Sequence, residues 1–165
     1  MAKVDPLQYA MQLERDGQAF YTEVAAATRN PLGKRMFESL AADERHHEEI
    51  LVGIAKEMSV PFEGELPKER LVTLFATLGE ELKAHLDADA DDNRAIEKAL
   101  EMEKASIEHY TKLAKRASAE RDRRIYARLV QEEGQHVDIL QNCLTYLNKT
   151  GQWFLWDEQA LLDGG

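Results

Sequence analysis

The chain has 165 residues, of which 44% are hydrophobic and 32% charged, and its formal net charge is −10. That length fits one domain with a sizeable core and a short appendage, and the acidity argues against a nucleic-acid backbone or an anionic membrane as partner while allowing cations to be drawn toward an entrance. The lone cysteine, Cys143, excludes a disulfide framework, a paired-thiolate knuckle and an iron–sulfur spacing in this sequence. With no apolar signal region near Met1 and no stretch apolar enough to cross a membrane, a reducing, cytoplasmic setting is expected.

Four amphipathic helices are predicted in chain order. Helix A starts at Asp5-Pro6, an N-cap followed by proline at the first helical position, and places Leu7, Ala10, Glu14, Gly17, Tyr21 and Val24 along one stripe. Asn30-Pro31 repeats that start signal. Helix B then carries Met36, Leu40, Glu44, His47, Leu51, Ile54 and Met58, and Pro61 and Pro67 bracket a break. A connector over 59–92 has its own stripe of Leu71, Leu74, Phe75, Leu78, Leu82 and Leu86. It is too long for a tight turn, whereas a helix of about 20 residues from Pro67 covers roughly 30 Å, the length of a bundle. Such a crossover makes helices B and C parallel and also permits the hairpins to be exchanged between two protomers, with a homodimer as the expected assembly. Helix C starts near Asp92-Asn93 and carries Ile96, Leu100, Glu103, Ile107, Tyr110, Leu113 and Ala117. Helix D starts near Arg121-Asp122 and carries Ile125, Leu129, Glu133, His136, Leu140 and Leu147. A tail follows over 150–165 with Trp153, Phe154 and Trp156, leaving 1–149 as the bundle domain. No strand pattern occurs.

The deciding pattern is an internal repeat. A shift of 89 positions carries Glu14 onto Glu103, Tyr21 onto Tyr110, Glu44 onto Glu133 and His47 onto His136. The apolar positions move with them, as in Met36/Ile125, Leu40/Leu129, Ile50/Ile139 and Leu51/Leu140. Two pseudo-symmetric helical hairpins account for this.

Hairpin geometry then places the polar residues. Around a turn centred near residue 30, Glu14 lies 16 residues before and Glu44 and His47 lie 14 and 17 residues after. Because helices rise equally per residue, the three side chains share one level, and the second hairpin repeats the offsets. Glu14, Glu44, His47, Glu103, Glu133 and His136 therefore meet in one layer, each on the apolar stripe of its helix. Four buried carboxylates repel one another and would largely protonate without a partner. Two divalent ions supply +4 against −4. Carboxylate-rich donors with one imidazole per ion suit iron or manganese. Glu44 and Glu133, each sharing a face with a histidine, are the expected bridging ligands. Glu14 and Glu103 are the expected terminal ones, and Tyr21 and Tyr110 the hydroxyls that orient them. Two helices offering a single Glu and two offering Glu-x-x-His form the donor pattern of ferritin-like four-helix bundles.

The runs Glu14-Arg-Asp-Gly-Gln-Ala-Phe-Tyr21 and Asp43-Glu44-Arg-His-His47-Glu48 resemble the first half of rubrerythrin-type proteins. Glu103-Lys-Ala-Ser-Ile-Glu-His-Tyr110 and Glu132-Glu133-Gly-Gln-His136 resemble the second, and the similarity extends over roughly residues 5–148. It implies an all-α, ferritin-like fold and a di-iron centre that reacts with hydrogen peroxide or dioxygen in oxidative-stress defence or iron handling. Rubrerythrins proper carry a rubredoxin-like module with paired CxxC knuckles. One cysteine cannot build it, so an external electron donor is expected. The further carboxylate that rubrerythrins offer one turn from the helix C glutamate is also missing, since Leu100 and Ser106 occupy those positions. Two other activities fit the same ligands: ferroxidase entry to an iron-storage cage, and a di-iron oxygenase with an apolar pocket for an organic substrate.

Other residues read as ordinary. His46 and His109 point about 100° from the ligand faces on an ideal helix and are expected at the surface. His85 belongs with the connector. Glu48, Glu49, Glu101, Glu108 and Glu132 are expected to be solvated. Cys143 is expected as a small core residue, and the Trp-rich tail as a segment docked on the bundle or a neighbouring subunit.

Overall fold

The computed structural model describes residues 5–57, 66–69 and 90–150. Its long helices are α1 (Pro6–Ala27), α2 (Pro31–Ala55), α3 (Ala90–Arg116) and α4 (Glu120–Thr150), and no strand occurs among the described residues. Local chemistry sets the boundaries. Asp5 Oδ1 accepts the Leu7 N–H at 3.0 Å, with Pro6 where its missing N–H costs nothing. Thr28 N–H and Oγ1 both return to the Val24 carbonyl, closing α1. Two residues later, Asn30 Oδ1 accepts from Gly33 N at 3.1 Å and opens α2. Lys115 and Arg116 in the last turn of α3, and Glu120 and Asp122 in the first turn of α4, match the helix dipoles. α3 starts two residues before the Asp92-Asn93 signal, and Asp92 is buried within it.

α1 packs along α2 and α3 along α4, giving two hairpins. The hairpins face each other with α1 against α3 and α2 against α4. Contacts such as Tyr21–Glu103 with Tyr110–Glu14, and His47–Glu132 with His136–Asp43, run in opposite order along each facing pair, so both pairs are antiparallel. It follows that α2 and α3 are parallel. Of the residues between them, 66–69 are described and rest on α4: Gln135 Oε1 accepts the Lys68 N–H at 3.1 Å, and Lys68 Nζ lies 3.0 Å from Asp138. The leucine stripe over 71–86, His85 and the Trp153-Phe154-Trp156 tail lie outside the described residues.

Two apolar clusters fill the bundle. One lies toward the α1–α2 turn and includes Tyr21, Met36, Phe37, Leu40, Ile96 and Leu140. The other lies toward the α3–α4 turn and includes Ala10, Met11, Leu51, Tyr110, Tyr126 and Leu129. The repeat exchanges them, pairing Tyr21 with Tyr110 and Phe37 with Tyr126. Cys143 is fully buried, with Sγ 3.4 Å from Met36 Sδ, and burial pushes its thiol far above the ordinary range. It is a core residue. Between the two clusters lies a polar layer.

Candidate metal centre

Four helices each contribute to that layer because the repeat puts a Glu, or a Glu-x-x-His, at the same height on each. Glu14, Glu44, His47, Glu103, Glu133 and His136 are all buried. They form two groups: Glu14, Glu44, His47 and Glu133, and Glu44, Glu103, Glu133 and His136, with the ligand atoms of each group within 4.8 Å of one another. Glu44 and Glu133 belong to both. Each turns one oxygen to each histidine. Glu44 Oε2 is 3.5 Å from His47 Nδ1 and Oε1 is 3.4 Å from His136 Nδ1. Glu133 Oε1 is 3.3 Å from His47 Nδ1 and Oε2 is 3.0 Å from His136 Nδ1. Glu14 lies beside His47 only, at 3.5 Å, and Glu103 beside His136 only, at 3.1 Å.

Hydrogen bonds from outside the layer hold these side chains. Tyr21 Oη donates to Glu103 at 2.5 Å, and Tyr110 Oη donates to Glu14, each across the hairpin interface. Burial and the neighbouring carboxylate charges keep both phenols protonated, hence donors. The imidazoles are held by carboxylates on the opposite hairpin. His47 Nε2 meets Glu132 Oε1 at 3.1 Å, and His136 Nε2 meets Asp43 Oδ2 at 3.0 Å. A carboxylate there accepts the Nε2 proton, so Nδ1 is the nitrogen aimed into the layer. Arg128 Nε completes one arm, donating to Glu132 Oε2 at 2.8 Å.

Asp43 and Glu132 lie off the apolar stripes that mark the ligands. Glu132, expected to be solvated, is only 2% exposed. The residue next to a ligand on α4 points not to water but into the α2–α4 interface, where His47 meets it. The repeat itself carried a usable signal, since the shift of 89 that links the ligands also pairs Asp43 with Glu132. Glu48 departs less, being partly buried and paired with Arg15 at 2.6 Å. Glu49, Glu101 and Glu108 are exposed. His46 stays outside the layer beside Glu49. His109 also stays outside, with Nε2 2.9 Å from the Pro6 carbonyl and its ring edge-on to Tyr9.

The electrostatics divide the carboxylates in two. Burial and the charges of Glu133 and Glu14 push Glu44 well above the ordinary carboxylate range. Burial and the charges of Glu103 and Glu14 raise Glu133 to about 8. Burial also acts upward on Glu14, but a hydrogen bond from Glu44 and the charge of His47 outweigh it and hold Glu14 below its usual value. Glu103 likewise falls to about 2, because the charge and hydrogen bond of His136 overcome burial. For the histidines burial acts downward. Glu133 and Glu14 nevertheless keep His47, and Glu103 and Asp43 keep His136, well above the usual imidazole value. By themselves the side chains thus balance charge with protons on Glu44, Glu133 and both rings. The two carboxyls that carry protons are the two shared by both groups.

This donor set fits a pair of cations. Glu14 Oε2 and both Glu133 oxygens are buried and make no well-aligned hydrogen bond, a costly condition that a bound cation relieves. Carboxylates with one imidazole per group and no thiolate suit iron or manganese.

A family model described as Rubrerythrin matches residues 5–144. The chain belongs to the rubrerythrin family. Its fold is therefore an all-α, ferritin-like bundle of a di-iron family. No similar curated protein and no similar solved structure was found.

One cavity reaches the layer from outside. It has a volume of about 260 Å³ and lies between α1 and α3, with Glu44, Glu103 and Tyr21 in its wall. Gly17 borders it. A Cβ at that position would stand 3.4 Å from Glu44 Cδ, in van der Waals contact with the shared carboxylate.

Proposed function

We propose that this rubrerythrin-family chain is a di-iron oxidoreductase that reduces hydrogen peroxide or dioxygen with electrons from an external donor. The observation that carries the reading is the pair of shared carboxylates, Glu44 and Glu133, each presenting one oxygen to the His47 group and one to the His136 group. Glu14, Glu44, His47 and Glu133 would hold one iron, and Glu44, Glu103, Glu133 and His136 the other. A bound di-iron pair supplies the two electrons that reductive cleavage of an O–O bond requires.

The protein's own part is orientation, proton storage and enclosure. Tyr110 and Tyr21 hold Glu14 and Glu103 from across the hairpin interface. Glu132 and Asp43 fix the ring planes of His47 and His136. Apolar clusters above and below close the layer at its two ends, and the cavity beside Glu103 gives a small molecule access from the side.

The second reading is ferroxidase chemistry at the entry to iron storage. The acidic lining of that cavity, with Asp16 and Glu101 outside Glu44 and Glu103, favours it. Mixing the reduced iron-loaded protein separately with peroxide and with oxygen tests the assignment. Peroxide oxidising the centre at least about tenfold faster supports the peroxidase, while faster oxygen consumption together with elution as a large cage supports the ferroxidase. Failure to bind iron at all would overturn both.

A further inference from the structure

We propose that the cavity between α1 and α3 is the port by which divalent cations reach the carboxylate layer, with Asp16 and Glu101 as its attracting mouth. The inference rests on the reading of the layer as a metal site and adds the route to it. Asp16, on α1, and Glu101, on α3, are exposed, whereas Glu44 and Glu103 at the inner end are buried. These are the charged residues of the wall, and all are acidic. An acidic mouth between low-dielectric helices focuses the field and raises the local concentration of cations while repelling anions.

The dimensions suit a hydrated ion. A volume of about 260 Å³ holds roughly eight waters at about 30 Å³ each, enough for an octahedral ion with its shell of about six. The other side chains of the wall, Leu13, Tyr21, Met102, Ala105 and Ser106, carry no charge, so none of them competes with the carboxylates for a cation. At the floor, Glu44 and Glu103 can replace the water shell. Behind them, Glu14 Oε2 and both Glu133 oxygens are buried and make no well-aligned hydrogen bond, so the passage ends on groups that a cation satisfies. The mouth is also absent from the repeat. The shift of 89 takes Asp16 to Ala105 and brings Glu101 from Gln12, so neither acid is there to duplicate the layer.

The test is the rate of cobalt(II) uptake by the metal-free protein, followed in a stopped-flow instrument by visible absorption, with an equilibrium titration for stoichiometry. The variants are Asp16→Asn with Glu101→Gln, Ser106→Leu to narrow the passage, and Glu23→Gln with Glu97→Gln as an equal change of net charge outside the cavity. The mouth pair should bind as much cobalt as wild type but take it up roughly five-fold more slowly at low salt. That difference should shrink at high salt as the field is screened. Ser106→Leu should slow uptake at any salt, and the control pair should change little. A mouth pair as fast as the control pair overturns the port and leaves the metal site standing. Cobalt stoichiometry lost in the mouth pair also overturns it, because the two acids would then be ligands. Wild type that binds no cobalt overturns the site reading itself. Since both mouth substitutions are conservative and at exposed positions, the test holds even if Ser106→Leu fails to fold.

Discussion

The half of the layer around Glu14 and His47 and the half around Glu103 and His136 contain the same ligand types at the same heights, yet their surroundings differ. His47 leans on a glutamate that Arg128 holds from one turn away. His136 leans on a shorter aspartate, and the repeat counterpart of Arg128 is Ser39. The cavity borders Glu103 and its tyrosine, Tyr21, whereas Glu14 and Tyr110 are outside its wall and Tyr110 belongs to the apolar cluster near the α3–α4 turn. Duplication therefore preserved what points into the layer, where four charges must be balanced. The tyrosines and acids that hold the ligands repeat as well, and the two halves differ further out, at Ser39 against Arg128 and Asp16 against Ala105, where support and access become unequal.

Four measurements would break or sharpen this contrast. The largest effect should come from the shared carboxylates. Glu44→Ala or Glu133→Ala removes a ligand from both halves and should abolish iron binding, whereas Glu14→Ala or Glu103→Ala should leave about one ion per chain, by metal analysis after reconstitution. Equal losses in all four would erase the distinction between shared and terminal positions. Next, Glu132→Gln and Asp43→Asn should each weaken metal affinity by about 10- to 100-fold, as loss of a ring-orienting partner usually does. Arg128→Met should weaken the His47 half alone and by less, which competition titration with a chelator would reveal.

The third concerns pH. Glu44, Glu133 and both histidines titrate above their ordinary values of 4.5 and 6.5. Their contribution to the stability of the metal-free protein is full below those values. It is lost as pH rises through the folded values, about 8 for Glu133. Glu103, lowered to about 2, and Glu14 contribute above 4.5 and lose that contribution as pH falls. Thermal unfolding of metal-free protein should therefore show highest stability in mildly acidic solution and a fall toward pH about 8. Metal affinity should rise over the same range, because binding must release the protons on Glu44, Glu133 and the rings. A flat melting profile would mean that the layer does not hold those protons.

The smallest effect distinguishes the tyrosines. Tyr110→Phe leaves Glu14 in a packed region short of a donor and should cost about 1–3 kcal/mol in metal-free protein. Tyr21→Phe should cost less, since the adjoining cavity can admit a water to Glu103 in place of the hydroxyl. Denaturant unfolding of the two variants makes the comparison, and equal costs would argue that the cavity does not hydrate that half.

Much of this was legible along the chain. Asp5-Pro6 and Asn30-Pro31 announce helix starts by satisfying N–H groups locally, so no tertiary information is needed to place them. The glutamates and histidines announce themselves because charge on an apolar stripe is costly without a partner. Glu132 departs from its expected place at the surface for a specific reason. In an isolated helix, a position about 100° from the ligand face points to solvent, but a helix in a bundle has two neighbours, and its buried arc is wider than the stripe.

The sequence by itself determined the four helices, the repeat and the common height of the six layer residues, because rise per residue is constant and a shift in number is a shift in height. Tertiary structure alone decided which hairpin supports which histidine, which carboxyls hold protons, and where the layer is open. Each of these depends on distances between helices remote in sequence and on burial from several sides, and neither quantity is carried by spacing along one chain.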